Sequence, residues 1–110
     1  MKSREQGMLL RIFIGETDRA GGKALYEQIV LKAKELHLAS VSVTRGIMGY
    51  GADSEIHTAK ILMLSDDLPV IVEIIDIEEN LEKMLPYLDE WIEDGFATME
   101  KVVVIKYGDR

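Results

Sequence analysis

The chain has 110 residues, 47% of them hydrophobic and 30% charged, with a formal net charge of −7. This is the size and balance of one globular domain with a core of its own. Thirteen Lys and Arg stand against twenty Asp and Glu, which disfavours a nucleic-acid or anionic-membrane partner, since both need clustered cations. The absence of cysteine excludes disulfides, thiolate catalysis and Cys-ligated zinc and suits a reducing cytoplasm. No apolar run nears the ~20 residues that span a bilayer, so no membrane insertion is expected.

Met1–Gly7 is polar, lacks an apolar signal core and reads as a flexible lead to a single domain over residues 8–110. Met8–Ile14 (MLLRIFI) is short, apolar and rich in strand formers, and Gly15 closes it. Glu16–Gly22 carries turn chemistry. Lys23–His37 reads as an amphipathic helix with Leu25, Ile29, Ala33 and Leu36 on one stripe, and His37 in its last turn suits the helix dipole. Ser40–Thr44 (SVSVT) alternates as a half-buried strand and runs into the glycine-rich Arg45–Gly51. Ala52–Thr58 is loop-like, Ala59–Leu64 resumes an extended pattern, Ser65–Asp67 interrupts it, and Pro69–Ile75 is a strand.

Asp76 with Glu79 has capping-box spacing for the next helix. Its stripe of Leu81, Met84, Leu85, Leu88 and Ile92 contains Pro86, which predicts a bend or a helix in two pieces. Gly95 is placed to end it, and Phe96–Tyr107 is a last strand. The order β-α-β-β-α-β predicts an α+β, ferredoxin-like domain, with two helices on one face of an antiparallel sheet. That arrangement leaves the other face bare. Leu9 and Phe13 oppose Leu10 and Ile12, and Ile71 and Ile75 oppose Val70 and Val72, so the bare face is apolar too. Either a homo-oligomer covers it, which we favour, or loops and the N-terminal lead do. Glu73 in the midst of such a strand needs a partner, and Arg11 is the natural one; the alternative is that Glu73 points to solvent.

The stretch TRGIMGYGADSEIHTAKILMLSDDLPVIVEII, Thr44–Ile75, resembles the PII signalling proteins, and LLRIFIGETDRAGGKALYEQIV before it resembles their short PII-like relatives in bacteria and archaea. The resemblance covers Met8–Tyr107. It implies a trimer with sheets facing inward, an adenine-nucleotide site in the cleft between subunits, and a T-loop that docks on a transporter or regulatory protein. Where PII proteins carry a glycine- and lysine-rich phosphate loop, this chain reads EDGFATMEK, acidic at Glu93 and Asp94, which favours AMP or ADP over ATP. The short T-loop, Ala52–Glu55, has Ser54 but no tyrosine to modify.

The candidate nucleotide-binding residues are Arg45, Gly46, Gly49, Tyr50, Gly51, His57 and Lys106. Arg45 continues the face of Val41 and Val43 where an apolar residue is due; its planar donor fork suits an anion, and it equally suits a carboxylate. The glycines let backbone amides approach a ligand or simply form a hinge or bulge. Tyr50 is placed to stack on a base or to pack at a loop base. Lys106 is placed to reach a neighbour's phosphate or to sit solvated on an edge. His57 is the residue that closes the T-loop by resemblance. No metal-ligand spacing, Ser-His-acid set, paired-carboxylate motif or P-loop occurs, so neither a metal site nor a catalytic residue is assigned. Other readings of the same fold are a cation-tolerance-type trimer and a small phosphate enzyme. An acylphosphatase would pair an arginine with an asparagine, and Asn80, the only asparagine, falls in a predicted helix. An RNA-recognition domain would need exposed strand aromatics on a basic surface.

Overall fold

The computed structural model describes residues 2–51 and 67–108, together with the backbone of residues 57 and 58. In chain order they form β1 (Lys2–Gly15), a tight hairpin of β2 (Arg19–Ala20) and β3 (Lys23–Ala24), α1 (Leu25–Glu35) and β4 (Ser40–Arg45). Then come β5 (Met48–Gly49), β6 (His57–Thr58), β7 (Pro69–Asp76), α2 (Glu78–Glu82), α3 (Leu85–Trp91) and β8 (Phe96–Tyr107). The main sheet has the order β4-β7-β1-β8, with every pair antiparallel. With the two-residue strands set aside, this is the βαββαβ, ferredoxin-like order. The strand expected at Ala59–Leu64 and the T-loop residues Ala52–Glu55 lie outside the described residues.

Strand alternation sets the two faces. Leu10, Ile12 and Ile14 of β1 and Val70, Val72 and Ile74 of β7 turn to the helices, where they form one core with Leu25, Ile29 and Ala33 of α1 and Leu81, Met84 and Leu88 of the second helical segment. Burying each large aliphatic chain there contributes roughly 1.5–3 kcal/mol. Pro86 divides that segment. It sits in the first turn of α3, where its missing N–H would have had no helical partner, so the helix breaks into α2 and α3 in place of a kink.

Four boundaries differ from the sequence expectation. Lys2–Gly7, expected to be a flexible lead, pairs with Val102–Tyr107 and lengthens β1 and β8 into a two-stranded ribbon beyond the reach of β7. The first helix begins at Leu25, because Gly21 and Gly22 both adopt positive φ, 59° and 80°, and close a two-residue hairpin. Asp76 stands one residue ahead of the cap position, which is Ile77. Its carboxylate accepts hydrogen bonds from the Ile77 N–H (2.6 Å), the Asn80 side-chain amide (2.8 Å) and the Ala39 N–H (2.8 Å), tying α2 to the start of β4. His37 lies past the end of α1 in the left-handed region at φ 59°. There its N–H bonds the Lys34 carbonyl and the Leu38 N–H bonds that of Ala33, a Schellman closure.

Candidate functional site

The face of the sheet away from the helices carries Leu9, Phe13, Ile71, Ile75, Val102 and Val104 in register across β1, β7 and β8. A polar row crosses it. Arg11 Nε lies 2.9 Å from Glu73 Oε2 and Arg11 Nη1 2.5 Å from Glu100 Oε1. Arg11 is therefore the partner expected for Glu73, with Glu100 as a second. The hydrogen bond to Glu73 holds the guanidinium above its ordinary range, partly opposed by desolvation, and Glu100 acts in the same direction.

A cavity of about 190 Å³ opens at one end of this sheet. Its floor is the end of β1, Phe13–Gly15, and its walls are Gly49–Gly51, Asp67 with Pro69, and Asp94–Phe96. Local packing fixes each wall. The Gly46 N–H donates to the Pro69 carbonyl at 2.7 Å, which seats the glycine-rich segment on the first residue of β7. A Cβ on Gly15 would overlap the Asp67 carboxylate, which accepts the Thr17 N–H at 2.7 Å. A Cβ on Gly95 would lie 2.7 Å from the Phe13 carbonyl oxygen. Gly95 is therefore a close-approach position at the start of β8, while α3 itself ends at Trp91. Phe13 and Phe96 stack with ring centroids 4.7 Å apart and planes 16° off parallel. Among the described residues the lining carries three carboxylates, Asp18, Asp67 and Asp94, and no cation.

The expected site residues divide into two groups. Gly49, Tyr50 and Gly51 line the cavity, and the backbone of Gly49 pairs with His57 as that of Met48 does with Thr58. Gly46 and Arg45 adjoin it at the end of β4. Arg45 takes a carboxylate, Glu16 Oε2 at 2.6 Å. With the guanidinium 61% exposed, such a pair is worth about 0–1 kcal/mol, so an arriving anion can compete for it. Lys106 is not with the others. It is paired with Glu5 at 3.1 Å on the far part of the ribbon, where β8 runs beside Ser3 and not beside Phe13. Sequence reading missed Phe13, Phe96, Asp18 and Asp67 as cavity walls. Gly15 beside a later Asp in turn-rich sequence was the faint sign of the Asp67 contact, and nothing local signals the Phe13–Phe96 pairing.

The family model of DUF190, described as "Uncharacterized ACR, COG1993", matches residues 7–104. The chain belongs to the DUF190 family. It is 41% identical over 97 residues to a UPF0166 protein of Aquifex aeolicus, covering 88% of this chain and 91% of that one. It is 37% identical over 87 residues to the UPF0166 protein MJ1524 of Methanocaldococcus jannaschii, covering 79% and 80%. Among solved structures it resembles CPII of Thiomonas intermedia K12 bound to ADP and bicarbonate, with a TM-score of 0.69 at 12% identity over 93% of this chain and 91% of that one. It also resembles a Thermus thermophilus protein described as a putative PII-like signaling protein, with a TM-score of 0.66 at 20% identity over 92% and 91%. The fold of this DUF190 protein is thus the PII-like fold, as the Thr44–Ile75 motifs imply.

Proposed function

We propose that this DUF190 protein is a PII-like regulatory module that acts by binding and not by turnover. Its ligand is an adenine nucleotide, AMP or ADP in preference to ATP, held at the glycine-walled end cavity between subunits of a trimer. The observation that carries the reading is the cavity's incompleteness. About 190 Å³ falls short of the roughly 300–1,000 Å³ of a typical small-molecule site, and the apolar sheet face beside it has no covering element among the described residues. Packing that face against neighbours supplies both the missing cover and a second wall. The Arg11–Glu73–Glu100 row then sets the register of the contact.

The preference for fewer phosphates follows from charge. Asp18, Asp67 and Asp94 repel each added phosphate, and Asp94 stands where PII proteins place glycines and a lysine. Arg45 is the nearby guanidinium that can turn from Glu16 to a phosphate. CPII bound to ADP and bicarbonate, and bound to ADP, AMP and bicarbonate, gives precedent on the same fold. A partner protein reads the bound state through the segment between Gly51 and Asp67.

Isothermal titration of the purified protein with AMP, ADP and ATP at matched ionic strength tests the reading. AMP or ADP should release heat at micromolar concentrations and ATP bind more weakly. A ligand at one hundred times its Kd should add about 2.7 kcal/mol of stability, visible as a raised melting temperature. No heat and no melting shift with any of the three would overturn the assignment.

A further inference from the structure

Strand register fixes which charged groups share the sheet face that points away from the helices. Among the described residues, β1 contributes Glu5 and Arg11, β7 Glu73, and β8 Glu100 and Lys106, while β4 contributes only the hydroxyls of Ser40, Ser42 and Thr44. Neither histidine lies on these strands. Glu5 and Lys106 pair with each other at 3.1 Å on the ribbon and cancel. Glu5 lies six positions from Arg11 along β1, about 20 Å at ~3.3 Å per residue, so this pair does not compensate the middle of the face.

That middle is unbalanced. Arg11 holds two carboxylates, Glu73 at 2.9 Å and Glu100 at 2.5 Å, which leaves one negative charge over. Leu9 and Phe13 flank Arg11 along β1, and Ile71 and Ile75 flank Glu73 along β7. Ser42 beside Glu73 and Thr98 beside Arg11 are neutral. On the single chain water screens the surplus, with Glu100 54% exposed. Covering the face removes that screening, and an uncompensated charge in a low-dielectric contact is strongly unfavourable.

Identical subunits cannot correct the imbalance. In a ring whose sheets face inward, every copy brings the same three groups to the contact. Arg11 of one copy can turn to Glu100 of the next, but the surplus stays at one carboxylate per chain. Arg11 does not give up its proton. A carboxylate can take one up, and it then donates a hydrogen bond where it had only accepted.

We infer that assembly of this protein takes up protons, as many as one per chain, at the Arg11–Glu73–Glu100 row, so that pH sets how firmly the subunits hold together. This rests on the oligomer proposed above and names a regulation of it. The sign follows from linkage. The assembled form binds more protons than the separate chains, so assembly strengthens as pH falls and weakens as pH rises. Acidification therefore favours the form in which the end cavity has its second wall.

Light scattering across a urea titration, at about pH 8, 7 and 5.5, tests this, and it reads the strength of assembly whether or not dilution alone separates the chains. The midpoint of dissociation should rise as pH falls, with assembly at least about tenfold tighter over the range. Glu73→Gln and Glu100→Gln each remove the surplus charge, so both should assemble more tightly than the parent near pH 8 and show a flatter pH slope. Arg11→Met leaves both carboxylates without a cation and should weaken assembly near pH 8 and steepen the slope. Glu79→Gln, exposed on α2, changes the net charge equally but away from the face, and should keep the parent's slope. A parent that assembles without a pH slope, or a slope that either face variant keeps in full, overturns the proton uptake and leaves the oligomer standing. A slope lost equally in Glu79→Gln assigns it to overall charge, which also overturns the uptake. A parent of one chain mass at every pH overturns the oligomer and the inference together.

Discussion

Replacing Gly95 with alanine perturbs the cavity wall, and its cost can be worked from the backbone. Gly95 has φ +154°, and a Cβ there would stand 2.7 Å from the Phe13 carbonyl oxygen and 3.3 Å from methyl groups of Ile14 and Ile92. The two side-chain contacts can yield by a few tenths of an ångström. The carbonyl cannot, because Phe13 is held in the centre of the sheet by Ile71 on one side and Phe96 on the other. A non-glycine residue in sparsely populated backbone space costs about 1–3 kcal/mol, and displacing β8 from the end of β1 adds to it. We expect a loss of about 3 kcal/mol, which for a domain of this size lowers the melting temperature by roughly 12–20 °C. Thermal unfolding followed by circular dichroism, at one protein concentration because assembly couples to melting, measures it. Gly51→Ala is the control. A Cβ there meets nothing within 4 Å among the described residues, so its melting temperature should stay within the range of ordinary surface changes, about 0.5 kcal/mol. A Gly95→Ala protein that melts within 3 °C of the parent (a bound set by roughly half a kcal/mol) would refute the close-approach argument.

Two further substitutions probe the frame around the site. His37→Gly relieves a left-handed residue at the end of α1 and should raise stability by about 1 kcal/mol, seen as a higher denaturant midpoint with unchanged slope. Asp76→Ala removes the acceptor shared by Ala39, Ile77 and Asn80 and should cost roughly 2 kcal/mol, a hydrogen-bonded carboxylate being worth more than a neutral acceptor. Asp76→Asn should recover part of that loss, because its amide oxygen still accepts; the same denaturant titration reads both.

What the sequence showed clearly was periodicity. Leu10 and Ile12 and the Leu81–Met84–Leu88 stripe each repeat at the spacing of the element they form, and hydrophobic burial obeys that spacing directly; on the edge strand β4 Val41 is half-buried while Val43 is exposed. The Arg11–Glu73 pair was legible for the same reason, since two opposite charges on adjacent apolar strands have few other partners. Lys2–Gly7 was not legible. Its polar residues lack a strand pattern, and they are extended only because β8 lies alongside, a contact about one hundred residues away in sequence. The hairpin before α1 was hidden in a similar way, because Gly21-Gly22 announces a turn without saying that two residues on each side will pair.

The site was half legible. The glycine segment could be placed because glycines and family motifs are local. Phe13, Phe96, Asp18 and Asp67 escaped because the cavity is made where β1, β7 and β8 end together, and strand register decides that. Lys106 is a case where alternation alone does not place a residue. Its alternation with Val102 and Val104 was visible, but the direction of β8 carries it away from the cavity of its own chain.

The central claim is that neighbours complete the site, and the most direct measurement of it is the mass of the particle in dilute solution. Multi-angle light scattering over a dilution series should return three times the 12.4 kDa chain mass, persisting to low micromolar concentration. A particle of one chain mass across that range would contradict the account, for the cavity would then have no second wall.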